Sequence, residues 1–360
     1  MTQIKKKIKV LIIDDSALAR DILSKGLSQD AGIEVVGTAP DVYVARDKII
    51  SLRPDVLTLD IEMPRMDGVE FLKRLMPQYP IPIVVVSSLT QRGKRITIEA
   101  LDAGAVDFIP KPSSNVAKGL ESMLMELRAK IKIASTANVA FWKGKRNQNL
   151  ASASSNDVKR TLRTSALSES TDKVIAIGAS TGGTEAIKKI VTAFPINMYG
   201  VVVVQHMPPG FTKMFAESLN KFCMMEVKEA QDGDRIMKGR ILIAPGNYQL
   251  RVVRSGGIYK VICTTENKVN GHCPSVDVLM QSVAEQAGPN SYGILLTGMG
   301  SDGAKGLKSM KDIGALTIAQ DEATCVVYGM PKVAYQIGAV DKLLPVDKIA
   351  PYLVNYINSN

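Results

Sequence analysis

Cysteine is scarce in this chain. Four residues among 360, Cys223, Cys263, Cys273 and Cys325, are scattered without a CxxC pair. That spacing excludes a disulfide framework and a zinc ribbon and fits a reducing, cytoplasmic compartment. No apolar run approaches the roughly 18 residues of a membrane span; stretches such as Val201 to Val204 have strand length. The basic start, Met1 to Lys9, leads into a short apolar run that ends in Asp14-Asp15 rather than a small-residue cleavage site. Neither a signal peptide nor membrane insertion is expected. Histidine is rarer still, with only His206 and His272, so imidazole chemistry has two possible addresses. What is present is ordinary globular composition, 46% hydrophobic and 22% charged, which excludes wholesale disorder, collagen and coiled coil.

Half of the net charge of +10 falls in one sixth of the chain: residues 113–172 carry 10 Lys and Arg against 5 Asp and Glu. A basic nucleic-acid arm has this signature, and so does a flexible polar tether. The segment holds one aromatic pair, Phe141-Trp142, and lacks a helix-turn-helix or zinc pattern, which favours the tether and no nucleic-acid partner.

Short apolar runs alternate with amphipathic stretches of helical length, the pattern of βαβ units on a parallel sheet. In the first half, strands are expected at 8–13, 33–37, 55–59, 81–86 and 105–109, with helices near 16–28, 41–52, 68–76, 91–102 and 113–133. The pattern stops in a segment rich in Ser, Asn, Thr, Lys and Arg, and resumes at Lys173. The resulting division is a first domain over 1–134, a polar basic linker over 135–171 and a second domain over 172–360. The second is expected to be α/β with a parallel sheet (strands at 173–177, 200–204, 241–244, 293–296 and 315–319). Its helices are expected at 183–193, 211–221, 275–287, 303–313 and 346–357. An antiparallel hairpin, Arg251 to Arg254 turning at Ser255-Gly256-Gly257 into Ile258 to Cys263, is expected within or at the edge of that sheet.

In the first half, Asp14-Asp15 follow one strand and Asp60 another. Ligands of open parallel sheets bind beyond the carboxyl ends of the strands, so three carboxylates converge there. Their repulsion calls for a cation, and hard oxygen ligands suit Mg²⁺, which keeps several waters and partners phosphate. Ser87 and Lys111 end two further strands on the same edge, supplying a hydroxyl and an ammonium for phosphoryl oxygens. Singly, each Asp reads as a helix cap or turn residue; five such residues at the ends of four strands do not. This order, with Met63-Pro64-x-Met66-Asp67-Gly68 and Lys111-Pro112, resembles the receiver domain of two-component response regulators. The resemblance spans 8–130. It implies a five-stranded, doubly wound parallel sheet with Asp60 as acceptor of phosphate from a histidine kinase. Asp14, Asp15 and Asp60 would hold Mg²⁺, Ser87 would be the switch hydroxyl, and Lys111 would contact the phosphate.

In the second half, Gly178-Ala179-Ser180-Thr181-Gly182-Gly183 follows a strand and opens a helix. A dinucleotide loop needs G-x-G-x-x-G, but Ser180 occupies its middle glycine position. G-x-S-x-G is matched by Gly178, Ser180 and Gly182, a turn that lifts a serine hydroxyl above the sheet edge. A serine nucleophile needs a base. His206 follows the strand Val201 to Gln205 on the same edge, whereas His272 lies in a loop and suits a cleft or structural role better. Asp302, in a Gly-rich loop after a further strand, is the candidate to orient the base. Backbone amides of that loop suit an oxyanion. The order Ser, His, Asp departs from the Ser, Asp, His of α/β-hydrolases, which excludes that fold but not the chemistry. A Cys273 nucleophile beside His272 is disfavoured, because chain neighbours rarely present both side chains in the required geometry.

The motifs around Ser180 and Asp302, together with Gln205-His206-Met207-Pro208, His272-x-Pro274-Ser275-Val276-Asp277, Gln320-Asp321-Glu322 and Tyr328-Gly329-Met330-Pro331, are similar to the chemotaxis protein-glutamate methylesterases over 173–350. The resemblance implies a Ser180, His206, Asp302 triad acting on methylated glutamates of chemoreceptors, with glutamine deamidation by the same machinery. Oxyanion donors would be the backbone N–H groups of Met299 and Thr181. It implies no cofactor for the esterase, and a receiver that covers the esterase cleft until Asp60 is phosphorylated. Two other outputs are weighed against it. A DNA-binding output would need a compact helix-turn-helix module, and a cofactor-binding output would carry bound flavin or nicotinamide.

Overall fold

A computed structural model describes residues 6–63, 67–112, 116–144 and 171–359. The Pro64-x-Met66 portion of the receiver-like motif and most of the expected linker, 145–170, lie outside these residues. The chain divides into two units, Met1–Asn149 and Leu150–Asn360.

The first unit alternates strand and helix: β1 (Ile8–Ile13), α1 (Ala17–Ser28), β2 (Ile33–Ala39), α2 (Val42–Leu52), β3 (Val56–Asp60), α3 (Gly68–Gln78), β4 (Ile83–Ser87), α4 (Gln91–Asp102), β5 (Asp107–Pro110) and α5 (Val116–Ala134). The sheet is parallel throughout, in the order β2-β1-β3-β4-β5. Strands covered on both faces need apolar residues at successive positions. Val10 to Ile13 and Ile83 to Val86 supply them, each at most 2% exposed. Helix starts are set by short polar side chains. Asp41 accepts from the Tyr43 and Val44 amides, and Thr90 accepts from that of Gly93.

Part of the expected linker, 135–144, is among the described residues. Residues 135–144 continue into the first unit. Val139 is buried, Ala140–Trp142 form a 3₁₀ turn, and the Gly144 N–H donates to the Pro77 carbonyl at 2.9 Å. Trp142 packs so closely on Gly104 that a Cβ there would lie 3.0 Å from its ring. Two apolar side chains outweigh the polar average of the segment.

The second unit comprises β6 (Val174–Ala179), α6 (Gly183–Val191), β7 (Gly200–Gln205), α7 (Phe211–Phe222), β8 (Glu226–Glu229), β9 (Arg240–Ile243), β10 (Gln249–Ser255), β11 (Ile258–Thr264), α8 (Val276–Ala287), β12 (Ser291–Leu295), α9 (Ala304–Asp312), β13 (Leu316–Gln320), α10 (Met330–Gln336), β14 (Lys342–Leu344) and α11 (Val346–Ser359). Seven strands form one parallel sheet in the order β14-β13-β12-β6-β7-β9-β8. From β6 the chain winds first toward β8 and then returns to build the other side from β12. The reversal puts a switch point, the usual ligand crevice, between β6 and β12.

The hairpin β10-β11 is a separate two-stranded sheet, not part of the main one. It lies on α8, where Val252 N–H donates to Ser282 Oγ (2.9 Å) and Arg254 N–H to Gln286 Oε1 (3.1 Å). Its Leu250, Val252, Tyr259 and Val261 enter the same buried cluster as Leu279 and Val283 of α8.

Candidate active site and phosphoacceptor pocket

In the first unit, β1 and β3 are neighbours, so Asp14 and Asp15, just past β1, face Asp60 at the end of β3. One carboxylate oxygen from each lies within 4.8 Å of the others. Lys111, just past β5, donates from Nζ to Asp60 Oδ2 (2.6 Å) and Asp14 Oδ2 (3.2 Å). Burial pushes the Asp14 carboxyl above its usual range, with the Asp60 charge adding and the Lys111 charge opposing. For Lys111, burial disfavours the ammonium, but Asp60 and Asp14 outweigh it and hold its value above the ordinary one. Three acids against one lysine leave an excess of negative charge, and the donors are all hard oxygens. This set fits a small divalent cation.

Ser87 ends β4 on the same edge and is wholly buried, but its hydroxyl faces α4. It accepts from Thr97 Oγ1 at 2.6 Å and lies 3.3 Å from the carbonyls of Ser88 and Gly93. The pocket thus gathers Asp14, Asp15, Asp60 and Lys111, with Ser87 turned aside. Arg20, which the sequence did not single out, donates to the carbonyls of Asp14 and Asp15 (2.8 and 2.9 Å) and holds their loop.

In the second unit, β6 leads into Ser180 through the Gly-rich turn. Gly182 has a φ of 75°, and α6 starts at Gly183. The Ser180 N–H donates to the Thr297 carbonyl (3.0 Å), and Thr297 Oγ1 donates to the Thr181 carbonyl (3.0 Å). The loop after β12 is therefore stitched to the serine turn. Gly298 lies against it, and a Cβ there would sit 2.7 Å from Ser180 Cβ. Met299, next in line, is half exposed, and its N–H takes part in none of the loop's backbone hydrogen bonds. Thr181 is buried.

Ala179 pairs with Gln205, and the His206 N–H extends that ladder to the Ala179 carbonyl (3.1 Å). Strand pairing alone thus brings His206 beside Ser180. The Gln205 side chain, first in the Gln205-His206-Met207-Pro208 motif, ties the two positions together, with Nε2 donating to the carbonyls of Ser180 (2.9 Å) and His206 (3.2 Å).

The His206 imidazole and the Asp302 carboxylate meet at 2.8 Å, Nε2 to Oδ2. Nδ1 is buried without a hydrogen-bond partner among the described residues, so the Ser180 hydroxyl makes no bond to it in this arrangement. Asp302 is 2% exposed and sits over the start of α8. Its Oδ2 also accepts from the Val276 N–H (2.7 Å). Its Oδ1 accepts from Ser275 Oγ (2.7 Å), Asn270 Nδ2 (2.8 Å) and the Asp277 N–H (3.3 Å). Burial alone would raise its pKa, but His206, Asn270 and Ser275 outweigh burial and hold the carboxyl well below the usual range. Asp277 shows the opposite balance. Its carboxyl is raised by burial, and the Asp302 charge adds to the rise.

Ser275, Asn270 and Asp277 lie in or beside the His272-x-Pro274-Ser275-Val276-Asp277 motif, the one signal in the sequence that could have found them. Burial pushes the Cys273 thiol above its ordinary value, which disfavours the thiolate that a nucleophile needs. The parallel sheet of the second unit is likewise not a helix-turn-helix module.

A phosphoryl-type acid pocket on one unit and a serine, histidine and aspartate gathered at strand ends on the other define a receiver-linked hydrolase. The receiver domain model of response regulators matches residues 10–121, and the CheB methylesterase model matches residues 175–353. A protein-glutamate methylesterase/protein-glutamine glutaminase from Syntrophotalea carbinolica is 63% identical over 353 residues, covering 98% of each chain. One from Syntrophomonas wolfei is 53% identical over 353 residues with the same coverage. The crystal structure of the Thermotoga maritima CheB methylesterase catalytic domain aligns with a TM-score of 0.50 and 39% identity, covering 51% of this chain and 98% of that one. The chain belongs to the protein-glutamate methylesterase/protein-glutamine glutaminase family.

Proposed function

We propose that this chain hydrolyses γ-glutamyl methyl esters on chemoreceptors, releasing methanol, and deamidates receptor glutamines at the same site, giving adaptation in chemotaxis. The observation that carries the reading is the buried His206–Asp302 pair, at 2.8 Å, one strand away from Ser180. Ser180 Oγ attacks the ester carbonyl. His206 takes its proton at Nδ1, the nitrogen that Asp302 leaves bare, and returns it to the departing methanol. Asp302, kept ionised by its donors, stabilises the imidazolium. The N–H groups of Met299 and Thr181 are the candidate donors to the tetrahedral oxyanion, a contribution of about 10²–10³ in kcat where one such donor is removed. Water activated by His206 then cleaves the acyl-enzyme. Glutamine differs only in its leaving group, ammonia.

The receiver sets the rate. Asp60 accepts a phosphoryl group from a histidine kinase; Asp14, Asp15 and Asp60 would hold Mg²⁺, which would neutralise the developing phosphoryl charge. Lys111 binds a phosphoryl oxygen, and Ser87 turns from Thr97 toward the phosphate. Phosphorylation acts only through a difference in affinity between restrained and active states. The four free cysteines suit the cytoplasm, where receptor signalling domains and kinases meet, and among the described residues no helix is long and apolar enough to cross a membrane.

The test is radiolabelled methanol released from methylated receptor membranes, with and without a small phosphodonor. Release should rise with phosphodonor and vanish in Ser180→Ala, while Asp60 phosphorylation persists. Continued release by Ser180→Ala would refute the nucleophile.

A further inference from the structure

Residues Val269 to His272 form a closed turn. The Val269 N–H donates to the His272 carbonyl (3.0 Å), and the His272 N–H to that of Val269 (2.9 Å). Both central residues have positive φ, 52° at Asn270 and 82° at Gly271, the type I′ geometry that Asn-Gly adopts most readily. The turn is anchored from below by the buried Gln249. Its Nε2 donates to the carbonyls of His272 (3.3 Å) and Asn267 (3.2 Å), and its Oε1 accepts from the Ser275 N–H (2.8 Å).

This turn reaches both members of the His206–Asp302 pair. Asn270 Nδ2 bridges Asp302 Oδ1 (2.8 Å) and Asp277 Oδ2 (2.7 Å). The His272 ring lies flat on that of His206, with centroids 3.6 Å apart and planes inclined by 10°.

An imidazole held at one nitrogen can turn about that bond. His206 is in this position, because Nε2 is bound to Asp302 and Nδ1 has no hydrogen-bond partner among the described residues. A ring laid on its face removes the freedom without occupying Nδ1, and a π face also tolerates the cation that forms during proton transfer. We propose that His272 is a positioning residue for the base: by stacking on His206 it fixes the ring plane in which Nε2 stays on Asp302 and Nδ1 is offered to Ser180. The inference rests on the esterase reading above.

The full-length chain with its two histidines gives a clean test. Steady-state methanol release from methylated receptor membranes is measured for wild type, His272→Ala, His272→Phe and Ser180→Ala, alongside ¹⁵N spectra of the imidazole rings. His272→Phe keeps a flat face and leaves one histidine, so its ring signals belong to His206. His272→Ala should lower kcat by about tenfold to a hundredfold, the scale of a misplaced catalytic group, with KM unchanged. His272→Phe should recover most of the rate. The His206 ring should be protonated at Nε2 and bare at Nδ1 in His272→Phe, and should lose this single tautomer in His272→Ala. An unchanged kcat in His272→Ala, a loss confined to KM, no recovery in His272→Phe, or a His206 ring protonated at Nδ1 would each overturn the role. Ser180→Ala separates the two levels. Absence of methanol release from wild type defeats the esterase reading and continued release by Ser180→Ala defeats its nucleophile, whereas an inactive Ser180→Ala beside a fully active His272→Ala defeats only the role of His272.

Discussion

Asp302 is where charge matters most at the level of single residues. Five donors surround a carboxylate that is 2% exposed, and together they reverse the cost of burying it. Asp302→Asn keeps the shape but cannot stabilise an imidazolium, so kcat should fall by about 10³- to 10⁴-fold, measured as methanol release at saturating receptor. The depressed carboxyl also contributes to folding. Because its folded value lies below the ordinary 3.8, its stabilisation is complete above that value and is lost as pH falls below it. The gap in urea midpoint between wild type and Asp302→Asn should therefore narrow on going from neutral pH to below about pH 4; a constant gap would assign the loss to packing instead. Ser180, His206 and Asp302 were legible in the sequence because each follows an apolar strand. Asn270, Ser275 and Gln205 were not. Their bonds to Ser180 and Asp302 span 25 to 32 residues of sequence, and only the fold brings these partners together. Which imidazole nitrogen faces the carboxylate was equally out of reach, since no pattern of residue types encodes a ring orientation.

Among the elements, β6 and α8 are packed tightly at Gly178. A Cβ at Gly178 would lie 2.1 Å from Cγ1 of Val276, the residue whose N–H holds Asp302. Gly178→Ala must push α8 away from the sheet, at a cost of about 1–3 kcal/mol for overpacking, and Asp302 moves with it. Expected are a lower thermal midpoint for the second unit, read by calorimetry, and a fall in kcat; an unchanged midpoint would show that α8 has room to give. The long elements were legible for the reason that makes them stable. Strands buried on both faces, such as Val201 to Val204, read as short continuous apolar runs, and helices with one apolar face carry a 3.6-residue period. The short ones carried no period. β8 and β14 span four and three residues, and α10 opens on Met330-Pro331. The hairpin is legible in the sequence but its place is not, because its inward residues Val252 and Val261 join the same buried cluster as α8, a partner that alternation along a strand cannot name.

For the molecule as a whole, the claim is that the acid pocket of one unit governs the serine site of the other. Asp60→Asn removes the acceptor while leaving the esterase residues untouched. It should retain basal methanol release and lose all response to a small phosphodonor; a retained response would place the phosphoryl group elsewhere. Chelation of Mg²⁺ should likewise abolish phosphorylation of wild-type chain without changing basal turnover. Beneath this regulation lies the chemical step, and the most direct measurement is of the covalent bond it requires. The full-length chain is treated with an activated phosphonate that mimics the tetrahedral ester, digested, and mapped by mass spectrometry. A single adduct on the peptide bearing Ser180, absent in Ser180→Ala and formed far more slowly in His206→Gln, is the expected result. An adduct on another residue, or one formed on Ser180 at the same rate without His206, would contradict it.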